Sequence, residues 1–496
     1  MRPVRPFAPW PLLALLLFAL SASGCRTTTN LITGESARGA YTWQQEVQIG
    51  READPQIVAQ FGLLENEALT AYVDRLSRNV LETSAYTDPN TPAEIRETPF
   101  FFRVLDTPTV NAFALPGGYI YVTRGLLTHL NNEAQLAFVL GHEIGHVLGR
   151  HASRQAARAQ VGQLGLIGAA ILGDVLRPGL GSNILEFGGT GAQLLFLRWG
   201  RDAEREADRA GVAYSSFAGY DAAEGAAFFR SLQRLSSQQG GSLPSFLSTH
   251  PDPGQREQAI PALAAQFESE NQVFAERYLQ AIDGLVIGEN PREGFVENNV
   301  FYHPDLRFRF SVPQGWRLVN ERQSVTLASQ NGQVVAQLTL PGQASAQAAA
   351  QAFRARQGIA VTDSRSVQVN GLPAVALAGN AQTQGGAVSF LAYFIEHEGR
   401  TYQFLGYSPS AVFAANQQGL DNLLRSFARL TDPQFLSRQP VRLEIVRVGQ
   451  SATFASLLEG RPMPPGMSAE GLAIMNQVEL QQQIPAGTRL KLPRRP

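Results

Sequence analysis

The chain has 496 residues but only one cysteine, and it has no concentration of charge of one sign. Because Cys25 stands alone, an intramolecular disulfide bond is excluded. Lys and Arg number 41 against 42 Asp and Glu, so no basic surface is indicated that would attract nucleic acid or anionic lipid. The apolar stretch from Trp10 to Leu20 is too short for a stable membrane span. Because the charge is balanced and no basic surface is indicated, we expect no nucleic-acid partner.

The first residues have the pattern of a secretory signal, with two arginines, the apolar stretch and then a run of small residues. The sequence Ala22-Ser23-Gly24-Cys25 resembles the lipobox of bacterial lipoproteins, although Leu usually stands in place of Ala22. We expect residues 1–25 to be a lipoprotein signal peptide with lipidation at Cys25, which would anchor the protein to a membrane. Arg26 follows, and in enterobacterial-type lipoproteins a residue other than Asp there implies the outer membrane. The alternative is an ordinary cleaved signal with an incidental cysteine.

At this length, about three domains are expected. Residues 41–295 are mainly helical in pattern, and one strand, Ile120 to Val122, follows Pro116-Gly117-Gly118. This pattern predicts a mainly α, zincin-type domain with a small edge sheet. The apolar stretch Leu164 to Leu172 is too short to span a bilayer, and we expect a buried helix or a flap over a cleft there rather than membrane contact.

Beyond residue 295 the pattern changes to strands of alternating polarity. Phe308 and Phe310 alternate with polar residues, and Asn370-Gly371 is typical of a two-residue hairpin turn. Helical patterns interrupt these strands, so residues 300–432 are predicted to form an α+β domain. Residues 441–496 contain two short strand patterns and a helical one, which predict a small α/β C-terminal module. The predicted fold class is therefore multidomain.

The segment His142-Glu143-Ile144-Gly145-His146 carries the clearest chemistry. Four residues are close to one helical turn, so both imidazoles converge on one point, where Glu143 can hold a water. Zinc prefers neutral nitrogen ligands in tetrahedral geometry, and a catalytic site leaves one position open for that water. Asn132 and Gln135 are expected to cap the start of this helix. We therefore predict one zinc ion per chain, with His142 and His146 as ligands and Glu143 as the catalytic base.

A third ligand is needed, and its position separates the classes of zinc protease. In the metzincin pattern a third His would fall on Ala152, whereas His151 is one residue early. Glu204 and Asp208 are the better candidates, because they share a helix face at four-residue spacing. Glu204 can complete a site of two histidines and one glutamate, and Asp208 can accept the second ring N–H of a zinc-bound histidine. Glu206 points to another face, and we expect its change to Gln to be nearly silent.

Four motifs occur in a fixed order along the chain: Asn111 to Gly118, His142 to His146, Glu204 to Asp208, and Ser248-Thr249-His250-Pro251 with Arg256. This order resembles the gluzincin zinc metallopeptidases, the family that includes the CAAX prenyl proteases and their bacterial envelope relatives. The resemblance is strongest to the BepA-like periplasmic branch and covers residues 41–295.

This resemblance implies roles that the residues alone do not. Ala112, Phe113 and Ala114 would form a substrate-pairing edge beside the active cleft. His250 would lie close to the zinc, either stabilising the oxyanion as a catalytic residue or occupying the open zinc position in an inactive state. Residues 300–432 resemble a PsbP-like domain, and residues 441–496 are weakly similar to a LysM module.

Together these patterns predict a zinc-dependent endopeptidase of the periplasm, lipid-anchored to the outer membrane. Unfolded or misassembled envelope polypeptides would pair in extended form with the edge strand, where main-chain hydrogen bonds give affinity without strict sequence choice. Two other classes stay open. One is a metal-binding periplasmic chaperone, which is disfavoured because holding a metal needs no base such as Glu143. The other is an envelope scaffold whose LysM-like tail binds peptidoglycan.

Overall fold

The computed structural model describes residues 26–163, 199–238, 245–250, 253–383 and 386–494. Two of the predictions above, lipidation at Cys25 and the buried helix or flap at Leu164 to Leu172, lie outside these residues. Within the described ranges, no helix is both long enough and apolar enough to cross a membrane.

The first part of the chain folds mainly into helices, with a two-stranded hairpin at its start and a three-stranded sheet within it. Its strands are β1 (Arg26–Thr29), β2 (Ser36–Gly39), β3 (Phe101–Leu105), β4 (Ala112–Leu115) and β5 (Tyr119–Thr123). Its α-helices are α1 (Trp43–Phe61), α2 (Glu67–Glu82), α3 (Ala93–Arg96), α4 (Arg124–His129), α5 (Glu133–Leu148), α6 (His151–Gln163), α7 (Arg201–Phe217), α8 (Gly225–Gln238), α9 (Ser245–Thr249), α10 (Pro253–Ala264) and α11 (Ala275–Ile282).

Helix α5 is the centre of this region, and every one of its residues is buried. The Asn132 side chain accepts a hydrogen bond from the Gln135 N–H at 2.9 Å, and the Gln135 side chain accepts one from the Asn131 N–H at 2.8 Å. The predicted capping pair is therefore present. A helix buried on all sides needs partners all round, and α5 packs against α2, α7, α8 and β4.

The small sheet has the order β3-β5-β4, with β5 parallel to β3 and antiparallel to β4. The turn between β4 and β5 requires glycine: Gly117 has a φ of 77°, and a Cβ added there would lie 2.4 Å from Val47 Cα. Strand β4 is an edge strand, since β5 is its partner and no second strand pairs with it in the described part of the chain.

The following region is built on antiparallel strands, as its alternating sequence predicts. Its strands are β6 (Phe295–Glu297), β7 (Val300–His303), β8 (Phe308–Ser311), β9 (Arg317–Glu321), β10 (Ser324–Ala328), β11 (Val335–Thr339), β12 (Ile359–Val369), β13 (Leu372–Thr383), β14 (Gly386–His397), β15 (Arg400–Pro409) and β16 (Ala428–Arg429). Its helices are α12 (Ala346–Arg354), α13 (Ser410–Arg425) and α14 (Pro433–Leu436).

Seven of these strands form one sheet in the order β12-β13-β14-β15-β11-β10-β9, and four form a second sheet in the order β16-β8-β7-β6. Helix α12 buries Phe353 with Phe390 and Phe394 in one hydrophobic cluster, and α13 contributes Leu420 to another that contains Phe404. Each cluster is a core between one of these helices and the strands of the α+β arrangement. The predicted turn Asn370-Gly371 joins β12 to β13, with φ values of 48° and 78°.

The last segment is a small α/β unit that packs onto the helical region. Its elements are β17 (Leu443–Arg447), β18 (Ala452–Thr453), α15 (Phe454–Leu457), α16 (Ala469–Met475), β19 (Gln483–Ile484) and β20 (Arg489–Pro493). Apolar side chains of β17, α16 and β20 belong to the same hydrophobic core as α5. The buried Lys491 Nζ donates hydrogen bonds to Thr128 O at 2.6 Å and to Leu130 O at 2.8 Å, at the end of α4. The segment is therefore continuous in packing with the first part of the chain.

Candidate metal centre

Helices α5 and α7 approach each other closely because small residues line both contact faces. A Cβ added to Gly141 would lie 3.1 Å from Gly211 Cα, and one added to Gly145 would lie 2.7 Å from Ala210 Cβ. Larger side chains at these positions would push the helices apart, since protein cores are close-packed. The close approach brings the two histidines of α5 against the acidic residues of α7.

Four donor side chains converge between these helices. The ligand atoms of His142, His146, Glu204 and His250 all lie within 4.8 Å of one another. His146 Nε2 is 3.0 Å from His142 Nε2 and 3.4 Å from Glu204 Oε1. His250 Nδ1 is 3.0 Å from Glu204 Oε1. The structure thus brings together the three predicted zinc ligands and places His250 beside them as a further donor.

The chemistry of this donor set fits zinc. Two imidazoles and one carboxylate are the ligands of a common type of catalytic zinc site, in which a fourth position is left for water. Glu143 is fully buried beside them, and neither of its carboxylate oxygens has a hydrogen-bond partner among the described residues. A buried carboxylate without partners is costly, so this one is suited to a polar ligand such as a water molecule.

The electrostatic surroundings give these groups useful protonation states. Burial, together with the Arg256 cation, lowers the pKa of His142 to about 4, and burial lowers the pKa of His146 well below its ordinary value. Both imidazoles are therefore neutral, which is the form that binds a metal. Burial raises the pKa of Glu143 to about 7, which places it near the pH at which a general base works well.

Asp208 and Arg256 form hydrogen bonds and ion pairs with side chains of the cluster. Asp208 Oδ1 is 3.1 Å from His142 Nδ1, so the carboxylate accepts the outer N–H of this imidazole as predicted. Arg256 donates from Nε to Asp208 Oδ2 at 2.9 Å and pairs through Nη1 with Glu204 Oε2 at 2.8 Å. Burial alone would raise the pKa of Glu204, but His250 and Arg256 hold it well below its ordinary range.

His250 has a carboxylate near each of its ring nitrogens. Its Nδ1 faces Glu204 Oε1, and its Nε2 is 3.6 Å from Glu143 Oε1. The ring is fully buried and stacks on Phe246, with ring centroids 4.4 Å apart. Burial opposes protonation, yet the two carboxylates raise the pKa of His250 above its ordinary value. Both roles implied for His250 are compatible with this position.

The predicted substrate edge, Ala112 to Ala114, lies in β4, which packs against α5. Phe113 pairs with Tyr121 on β5, and their rings stack with centroids 4.8 Å apart. Just before β4, Val110 O accepts a hydrogen bond from Phe246 N at 3.2 Å. Strand β4 therefore packs against the helix of His142 and His146, and Val110 just before it is hydrogen-bonded to the short helix α9 that precedes His250.

Sequence reasoning assigned no role to several residues that surround the cluster. Trp199 stacks on the His146 ring, with centroids 4.7 Å apart. Glu206 points away from the four donors, as expected, but it contacts His151 at 3.1 Å instead of facing only solvent. The expectation that Glu206 is nearly silent needs correction for that reason. The only signal in the sequence was the presence of another His shortly after His146, which the metzincin comparison set aside.

Comparisons with known proteins agree with this geometry. Residues 74–264 match the model of a family described as Peptidase family M48. A "Beta-barrel assembly-enhancing protease" of Yersinia pestis is 31% identical over 229 residues, which are 45% of this chain and 44% of that protein. A "Putative beta-barrel assembly-enhancing protease" of Vibrio cholerae is 29% identical over 229 residues, or 45% of each chain. The mitochondrial metalloendopeptidase OMA1 of Bos taurus is 34% identical over 187 residues, which are 35% of this chain and 34% of that protein.

The chain thus spans less than half the length of these curated relatives. Among solved structures, cyanobacterial PsbP from Synechocystis sp. PCC 6803 aligns with 13% identity and a TM-score of 0.22, covering 26% of this chain and 91% of that one.

Proposed function

We propose that this chain, whose residues 74–264 match the model of peptidase family M48, is a zinc-dependent endopeptidase of that family. The observation that carries the proposal is the convergence of the ligand atoms of His142, His146 and Glu204 beside the buried carboxylate of Glu143. A metal held for structure alone needs no unpartnered acid next to it, whereas hydrolysis of a peptide bond needs a base at this place.

The proposed mechanism divides the work between the metal and the side chains. Bound zinc would polarise the scissile carbonyl and lower the pKa of the attacking water toward about 7. Glu143 accepts the proton of that water and returns it to the leaving amine. Asp208 keeps His142 in the tautomer whose Nε2 faces the cluster. Arg256 compensates the two buried carboxylates of Asp208 and Glu204.

The proposed substrates are unfolded or misassembled envelope polypeptides. An extended peptide can add to the free edge of β4 through main-chain hydrogen bonds, which selects exposed backbone more than sequence. The names of the Yersinia and Vibrio relatives, which refer to β-barrel assembly, support a substrate class of the envelope.

For His250 we propose the regulatory role, as a removable fourth donor at the metal in a resting state. Its Nδ1 lies 3.2 Å from His142 Nε2 and thus points at the same place as the ligand atoms. A protease that acts on unfolded chains must spare newly exported proteins, and a displaceable ligand is one way to achieve this.

For localisation we propose the periplasm, with a lipid anchor on Cys25 in the outer membrane. Replacement of Cys25 by Ala should move the protein from the membrane fraction to the soluble periplasmic fraction. An unchanged membrane fraction would overturn the anchor.

Two other functions are weaker. A metal-binding chaperone would leave Glu143 without a task. An envelope scaffold would need the last segment to bind peptidoglycan, and because this segment shares its core with the first part of the chain, the pull-down on peptidoglycan should use the whole chain.

The deciding experiment measures zinc content and casein cleavage of the purified chain. We expect one zinc per chain, cleavage that stops when a chelator removes the metal, and recovery when zinc is returned. A chain that binds zinc stoichiometrically but cleaves neither casein nor an unfolded envelope protein would favour the chaperone.

A further inference from the structure

The outer nitrogen of His146 has a partner that is not a carboxylate. Its Nε2 faces the cluster, as the 3.0 Å distance to His142 Nε2 shows. Its Nδ1 lies 2.8 Å from Nδ1 of His151. His151 is buried, and its ring meets that of His146 edge to face with centroids 4.8 Å apart. The two imidazoles therefore form a direct hydrogen bond behind the metal centre.

A break in the helix makes this contact possible. In a continuous helix a residue five positions after His146 would point about 140° away around the axis. Helix α5 ends at Leu148, and Arg150 adopts a φ of 51°, which is uncommon for a residue other than glycine. The Arg150 side chain is fixed by the buried Glu46, with 2.7 Å from Nε to Oε1, and by Tyr41 O at 2.7 Å. This conformation turns α6 so that His151 comes back toward His146.

The other ring nitrogen of His151 has a carboxylate as its partner. Glu206 Oε2 is 3.1 Å from His151 Nε2. Arg154 pairs with both oxygens of Glu206, at 2.6 and 3.0 Å. Asn30, in the loop between β1 and β2, donates from Nδ2 to Glu206 Oε2 at 2.6 Å. Asn30 is itself buried, and its Oδ1 accepts the N–H of Ile32 at 3.0 Å, so its orientation is set by the hairpin.

The hydrogen positions along this series follow from one another. With Nε2 of His146 toward the metal, its proton lies on Nδ1, and Nδ1 of His151 must accept that proton's hydrogen bond. The proton of His151 is then on Nε2, where the Glu206 carboxylate accepts it. Each group has one consistent role, and the series ends on a carboxylate that Arg154 and Asn30 hold in place.

We propose that His151 is a positioning residue for the zinc ligand His146, and that Glu206 and the N-terminal hairpin β1–β2 hold His151 in its working tautomer. The inference rests on the proposed function, because it assigns the support of the same metal site. It adds that residues 26–39, far from the zinc-binding motif in sequence, are part of what holds the metal. Partners of metal-bound histidines commonly fix ring orientation and raise ligand basicity.

The test measures zinc affinity, by competition with a chromophoric chelator, for the purified chain and the variants His151→Ala, Glu206→Gln and Asn30→Ala. We expect His151→Ala to weaken zinc binding by about 10- to 100-fold, the usual cost of losing such a partner. Asn30→Ala should weaken it less, and Glu206→Gln should fall between them because the amide oxygen can still accept one hydrogen bond.

Thermal unfolding of the zinc-free and zinc-loaded chains separates positioning from general stability. The matched control is His129→Ala, which removes another buried histidine whose Nδ1 bonds Gly125 O away from the cluster. We expect His129→Ala to lower the Tm of both forms with zinc affinity unchanged, and His151→Ala to reduce the gain in Tm that zinc provides.

The outcomes separate the two proposals. If His151→Ala binds zinc like the unchanged chain, the positioning role is overturned and the protease remains. If the unchanged chain binds zinc tightly but does not cleave, the protease is overturned while the affinities still decide the role of His151. If the unchanged chain does not bind zinc at all, both proposals are overturned.

Discussion

The two histidines of the metal cluster have different supports, meaning different hydrogen-bond partners at the ring nitrogen Nδ1. His142 contacts Asp208 on the neighbouring helix α7, and Arg256 compensates the negative charge of Asp208. His146 is hydrogen-bonded to His151, and His151 in turn is hydrogen-bonded to the carboxylate of Glu206. The first support comes from α7, the helix packed directly against α5, with Arg256 added from α10. The second support depends on the turn at Arg150 between α5 and α6 and on the hairpin β1–β2, which is distant from the metal cluster in sequence.

The largest expected effect concerns Glu143, the proposed catalytic base. Glu143→Gln keeps every metal ligand, but an amide cannot accept the proton of the water. Casein cleavage should therefore fall by about 10² to 10⁴-fold while zinc content stays at that of the unchanged chain. The exposed Glu82→Gln on α2 is the control and should cleave normally. A Glu143→Gln variant that cleaves near the normal rate would refute the mechanism.

The next largest effect concerns Glu204, the proposed metal ligand on α7. Glu204→Gln should reduce zinc affinity by more than the about 10- to 100-fold cost of losing a residue behind a ligand, because it removes a ligand itself. Asp202→Asn, on the exposed face of the same helix, should leave affinity unchanged. Zinc titration of both variants checks this. Equal zinc affinities of Glu204→Gln and Asp202→Asn would mean that Glu204 is not the third ligand.

Comparing Asp208→Asn with His151→Ala tests the difference between the two supports directly. Both should weaken zinc binding by about 10- to 100-fold. Asp208→Asn should also lower the Tm of the zinc-free chain more, because it leaves the buried Arg256 cation partly uncompensated. Zinc affinity and the two Tm values decide. If His151→Ala destabilised the zinc-free chain more than Asp208→Asn, this account of the two supports would be reversed.

The smallest effect on zinc binding is expected for His250→Ala, which leaves both supports intact. If His250 occupies the open metal position, its removal should raise basal cleavage of casein and self-cleavage, with zinc content unchanged. If it stabilises the oxyanion, turnover should instead fall by about 10- to 1,000-fold. Parallel assays beside the unchanged chain distinguish these results, and equal rates would mean that His250 has a purely structural role.

Sequence reasoning succeeded where the chemistry depends on local periodicity. His142 with His146, and Glu204 with Asp208, are each four residues apart on a helix, so their common faces could be predicted without knowing how the helices pack. The turn at Asn370-Gly371 was predictable for the same reason, since two residues determine its backbone.

The support of His146 could not be predicted in this way. It depends on a positive φ at Arg150, a residue type that does not favour that conformation, and on a hydrogen bond between Asn30 and Glu206 across 176 positions of sequence. The order of the seven-stranded sheet, in which β15 pairs with β11, likewise depends on long-range packing that alternating polarity does not specify.

The contact of Lys491 with the end of α4 has a consequence for the order of folding. Lys491 lies 363 positions after Thr128 in sequence, yet its strand belongs to the same core as α5. The intervening sheets have cores of their own and can form earlier. The core around the helix that carries His142 and Glu143 is complete only when the segment from Leu443 to Pro493 has packed against it. A chain without Leu443 to Pro493 would therefore lack part of the core that surrounds the metal cluster, so formation of the cluster depends on a segment distant in sequence.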